Sequence, residues 1–139
     1  MKRDQPTRAA GTNGASAVPM RESETFQYDL GRISANLAAA RAFQEVQAAS
    51  HWSHALAGTL NDEDLMIEGA RSATWLATTC VGIADACFAL AGSSAVYDSS
   101  PLQRRLRDLH VAAQHAHAQQ RQYVDVGELA LRRSADRAG

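Results

Sequence analysis

The apolar positions of this chain recur every three or four residues from about residue 23 onward, and nowhere alternate in twos. That period is the signature of amphipathic helices rather than strands. Residues 1–22 lack it: they are polar, carry Pro6, Gly11, Gly14 and Pro19, and read as a disordered leader. Ser23 or Thr25 is placed to cap a first helix running to about Ala57. Its stripe is Leu30, Ile33, Leu37, Ala40, Phe43, Val46 and Ala49, and Gly58 ends it. A second helix opens at Asn61 or Asp62, with Glu63 and Asp64 in the first turn, where acids favour the positive end of the helix dipole. Leu65, Trp75, Leu76, Thr79, Ile83, Ala86 and Leu90 form its stripe, flanked by further apolar residues, so it should be the most buried.

Gly92, Ser93 and Ser94 close that helix. Ser99 and Ser100 then offer caps to a third, with Pro101 at its first position, where the missing N–H costs nothing. Leu102, Leu106, Leu109 and Ala113 make its stripe. After a break near residues 119–122, Tyr123, Val126, Leu129 and Leu131 mark a short fourth helix. The pattern predicts an all-α, up-and-down four-helix bundle over residues 23–139.

Composition agrees. The 139 residues are one domain's length, 45% hydrophobic and only 6% aromatic, which suits close-packed alanine-rich helices. A formal net charge of −1 gives no electrostatic case for nucleic acid or membrane partners. No run approaches the roughly 18 apolar residues of a membrane span, and residues 1–20 have no apolar signal-peptide core. Cys80 and Cys87 stand seven apart, about 10 Å along a helix, too far for a disulfide. They read as core thiols of a reduced, cytoplasmic protein. Trp52 and Trp75 read as core or inter-helix anchors.

The candidate chemistry lies around the third helix. Gly92, Ser93 and Ser94 combine backbone N–H groups with short hydroxyls ahead of a helix N-terminus. That suits either an ordinary capped loop or a turn facing a phosphate. Arg107 and Asp108, one turn below Arg104 and Arg105, suit an intrahelical charge network with a tertiary ion pair. His51, His54, His110, His115 and His117 lack the Glu-x-x-His pairing of a bundle metal site, so no metal is expected.

The segment Gly92-Ser93-Ser94-Ala95-Val96-Tyr97, then Ser100-Pro101-Leu102, Arg107-Asp108 and Gln114-His115, resembles the C-terminal helical domain of the acyl-CoA dehydrogenase superfamily. The resemblance covers roughly residues 23–133. It implies a flavin, FAD or FMN, in the complete enzyme, with Gly92, Ser93, Ser94 and Arg107 as its contacts. The commonest dehydrogenases of the family carry Glu-Gly-Thr after this helix, the glutamate removing the substrate's α-proton. Here that position falls at Ala116, with His117 and Ala118 following. Alanine takes no proton, whereas His115 beside it is similar to a histidine of the related two-component monooxygenases, where it hydrogen-bonds substrate or flavin. The resemblance therefore points to the monooxygenase-like branch, with His115 as the candidate catalytic residue.

Family members also have an N-terminal helical domain and a central β domain, which build the other wall of the flavin site. The expectation is accordingly a fragment inactive by itself. It is expected to form a homo-oligomer, a dimer or tetramer, or to take the missing domains from another chain. The alternative is a stand-alone helical oligomerisation or interaction module without catalytic activity.

Overall fold

A computed structural model describes residues 19–97, 99–115 and 118–138 of the chain. Most of the expected leader, residues 1–18, lies outside them, while Met20–Glu22 forms a single 3-10 turn leading into the first helix. Four helices follow, packed against each other, and the described residues contain no strand.

Local chemistry explains each boundary. Helix α1, Glu24–Ala57, begins at Ser23, whose hydroxyl accepts from the Phe26 N–H at 3.5 Å. It ends at Gly58, which turns left-handed at φ 72°. The Gly58 N–H donates to Ala55 O and the Thr59 N–H to His54 O, so the last carbonyls are paired rather than orphaned. Helix α2, Glu63–Ala91, starts at Asp62, whose carboxylate accepts from the Leu65 N–H at 2.8 Å. Helix α3, Pro101–Ala112, has Ser100 as its cap and proline at its first position. Helix α4 is Gln122–Ala138.

Helix α2 is the spine, because it packs against all three other helices. Helix α1 runs antiparallel along one side. Phe26 and Ile33 face Ala86 and Leu90, the Phe43 ring meets Trp75 edge-on at 5.2 Å, and His51 lies over Gly69. Along another side α3 and α4 follow one another in the direction opposite to α2. His110 pairs with Asp85, Thr74 reaches Gln119, and Arg132 and Arg133 meet Glu63 and Asp64. Helix α1 makes no extended contact with α3 or α4. The helices thus form a row with α2 in the middle, and a groove opens on α2 between its two neighbours.

This arrangement corrects several details of the pattern. Because α1 has one principal partner, its contact seam is narrow: Phe26, Ile33, Ala40, Gln47 and His54 at seven-residue spacing, with Phe43 beside them. Leu30, Leu37 and Val46, expected in the stripe, are exposed. Trp52, expected as an anchor, is 67% exposed, and Leu131 of α4 is 74% exposed. The fully covered apolar residues among those described are few: Ile33, Ala40, Leu65, Ala95 and Leu129. Cys80 and Cys87 are free thiols, both half-buried.

Contrary to the expectation that no run approaches a membrane span, Glu63–Val96 is long and apolar enough, by length and composition, to cross a membrane. Its best 18-residue window has a mean hydropathy of 1.5. Thr, Ser, Gly and Trp residues and Asp85 interrupt the run, yet its average stays high. Only 6% of that window is buried within this chain, so the three neighbouring helices leave much of its apolar circumference uncovered.

Thr74 is the largest fully buried side chain described. Its hydroxyl lies 2.9 Å from Ala70 O, one turn back on α2, and 3.4 Å from Gln119 O in the α3–α4 connection. One donor shared between two acceptors pins the break between these helices onto the spine. Thr74→Val keeps the shape and removes the donor. It should cost about 1–2 kcal/mol in urea denaturation, with Thr74→Ser recovering most of the loss. Equal stability of wild type and valine variant would show that the pin carries no weight.

Candidate functional site

Helix α2 ends where the candidate flavin turn begins. Gly92 adopts φ 59° and ψ −143°, a conformation that side chains disfavour, and redirects the chain into a 3-10 turn, Gly92–Val96. A Cβ there would meet no neighbouring atom, so glycine is required by the backbone angle and not by crowding. Ser93 and Ser94 are exposed, and the Ser94 hydroxyl donates to Ala91 O at 2.6 Å, spending its proton on the end of α2. Ala95 is fully buried, so its methyl is packed inside the fold.

Arg107 lies elsewhere, in a groove of about 550 Å³ between α2 and α3. Phe88 of α2 lines it together with Ser100, Gln103, Arg104, Leu106, Arg107 and His110. Asp108 sits 3.7 Å from the Arg104 guanidinium and 4.0 Å from that of Arg107, all three well exposed. This is the expected intrahelical network. Solvent-screened pairs of this kind hold a helix face in place without adding much stability. The two arginines remain available to an anion, since one carboxylate is shared between two guanidiniums.

The tie between helices is made by His110 instead. Its Nε2 lies 2.9 Å from Asp85 Oδ1 across the α2–α3 seam. In the neutral ring the Nε2–H donates to the carboxylate, leaving Nδ1 as the lone-pair nitrogen, and the carboxylate fixes the ring's orientation. The sequence pattern assigns His110 no partner on another helix. A signal for the pair was present: Asp85 is the sole charged residue between Arg71 and Asp98. Its partner depends on how two helices register, which periodicity does not specify.

His115 stands in the turn beyond α3, exposed, its N–H donating to Ala112 O at 3.1 Å and its carbonyl accepting from the Ala118 N–H. Ala116 and His117 lie outside the described residues. The structure thus gathers Arg107, Arg104 and His110 in one groove, and that groove's lining includes neither the Gly92 turn nor His115. Among the described residues no group of three or more His, Cys, Asp or Glu side chains is placed to hold a metal.

Comparison with known proteins gives these positions a context. Residues 4–120 match the model of the acyl-CoA dehydrogenase C-terminal domain. The match starts within the expected leader and stops just before α4. The chain is also 29% identical over 122 residues to indole-3-acetate monooxygenase of Pseudomonas putida. That alignment covers 87% of this chain but 31% of the relative, so the chain spans about a third of the relative's length. No solved structure matches. With the family model covering most of its length, from the leader to the end of the α3–α4 connection, the chain belongs to the acyl-CoA dehydrogenase C-terminal domain family.

Proposed function

We propose that this chain serves as the C-terminal helical part of a flavin-dependent oxygenase, nearer the monooxygenases than the true dehydrogenases. The observation that carries this reading is its similarity to a monooxygenase, joined to alanine at position 116, where the dehydrogenases of the commonest type have their base. The family implies a flavin in the complete enzyme. Bound flavin supplies the redox chemistry, and the residues of this chain bind, orient and exclude water.

The donor set around Arg107 fits an anionic part of such a cofactor. Two guanidiniums, an imidazole oriented by Asp85, the Ser100 hydroxyl and the Gln103 amide share one groove with the Phe88 ring. Guanidiniums meet phosphate oxygens in a fork, and an aromatic face covers a planar ring edge. Nothing in the groove encloses a whole isoalloxazine, so positioning it requires a second wall from outside this chain. The exposed apolar residues, among them Tyr28, Trp52, Leu56, Met66 and Val111, suit such a covering surface, whether from the remaining domains or from a second copy.

The test is flavin retention. The purified chain should hold no stoichiometric FAD or FMN, and mixing it with a polypeptide carrying the remaining domains should raise flavin affinity. In that assembly Arg104→Ala and Arg107→Ala should each weaken retention by on the order of tenfold, as expected for a lost charge-assisted contact. Stoichiometric flavin on the chain alone, or no gain on mixing, would overturn the proposal.

A further inference from the structure

The N-terminal half of α2 carries a different pocket. A space of about 470 Å³ is bounded by Phe43 of α1, Arg71 and Trp75 of α2, and Tyr123 of α4. That volume falls in the range of small-molecule sites. Phe43 and Trp75 stand at 85° to one another, forming two walls of a corner. Tyr123 brings a third aromatic surface from the helix across the groove. Trp75 and Tyr123 remain 38% and 39% exposed, so aromatic surface is left open to solvent inside a concavity.

Among the described residues Arg71 is the one charged side chain lining this space. Its guanidinium pairs with Glu68, one turn earlier on the same helix, while 41% of the side chain stays accessible. Guanidinium carries five donors, and one carboxylate occupies at most two of them. Arg71 shares the lining of this pocket with the flat π surfaces of Phe43, Trp75 and Tyr123. An aromatic corner alone would also take a cationic ammonium group. A fixed positive charge on the rim opposes that and selects an anion.

From these walls and this charge we infer that the Phe43–Arg71–Trp75–Tyr123 pocket binds a small planar aromatic carboxylate, its ring in the aromatic corner and its carboxylate on Arg71. The ring gains stacking and desolvation, and the carboxylate gains a charge-assisted hydrogen bond in competition with Glu68. The competition has a consequence. Glu68 acts as an internal rival for Arg71, so its removal should tighten binding of an acid and leave a neutral analogue unaffected. The pocket lies away from the Arg104–Arg107–His110 groove and involves no flavin. Failure here would leave the proposed function standing, and the reverse holds as well.

The experiment uses Trp75 as its own reporter. In a Trp52→Phe background, changing an indole that is already largely in solvent, Trp75 is the sole tryptophan. Its fluorescence is followed while the chain is titrated with phenylacetate, phenylacetamide or phenethylamine. Phenylacetate should give a saturable change with a dissociation constant on the order of a millimolar or below, about tenfold tighter than the amide. Phenethylamine should bind weakest. Glu68→Gln should tighten phenylacetate several-fold with no effect on the amide, and Arg71→Met should abolish the preference for the acid. Tyr123→Ala should weaken all three probes, with circular dichroism confirming that the helices persist. No saturable signal, equal binding of the three probes, or Glu68→Gln weakening the acid would each overturn the inference.

Discussion

Leu129→Ala is expected to cost about 2–4 kcal/mol of unfolding free energy and to loosen α4 before the rest of the chain. Leu129 is the one buried residue on that helix among those described, and α4 packs along α2 alone. The other ties of α4 are solvent-facing ion pairs, Arg132 with Glu63 and Arg133 with Asp64, which hold direction more than they hold weight. Removing three carbons from the only deep contact leaves a cavity that a lone helix relieves by lifting away. The signature should be a biphasic loss of helix by circular dichroism, with amide exchange accelerated over residues 122–138. Tyr123 would leave with it, so phenylacetate should lose one wall of its pocket in the same variant. A single cooperative transition at unchanged midpoint would contradict this account.

Ile33→Ala should cost a similar amount, about 2–4 kcal/mol, with a different outcome. Ile33 is 5% exposed on the seam where α1 meets Ala86 and Leu90 of the spine. That seam has few other large side chains: Ala40 is small, and Gln47 and His54 are polar. Phe26 and Phe43 flank Ile33 seven and ten residues away and cannot close over the vacated space from there. Here the loss should be global, because α1 and α2 make the most extensive interface in the molecule. The denaturation midpoint should fall without a separate phase. A drop smaller than that of Leu129→Ala by more than half would place the molecule's stability on the α4 side instead.

Much of the fold was legible because helix ends are local chemistry. Ser23, Gly58, Asp62, Ser100 and Pro101 act on groups within a few residues of themselves, and each stands where its backbone requirement predicts. Family membership was legible for a related reason, since the residues that carry the resemblance, from Gly92 to His115, lie along one stretch of chain inside the matched residues 4–120. What was not legible depends on register between helices. Trp52 and Leu131 carry apolar side chains at plausible helical positions, yet they stand exposed because no neighbour reaches them. The Asp85–His110 pair and the Arg71 pocket need residues 25 and 52 positions apart in sequence to meet, as 110 − 85 and 123 − 71 give. A periodic pattern says which side of a helix is apolar, but not what stands opposite.

The row of helices around α2 also bears on how the chain assembles. Helix α1 meets α2 and α2 meets α3 directly across short connections, so most interfaces join elements that are neighbours in sequence. Such local contacts give a low contact order, and loop closure of this length costs little entropy. Each hairpin therefore has a route to form by itself on the spine. The α1–α2 hairpin, residues 24–91, is synthesised before Arg132 and Arg133 exist to bind its acidic end.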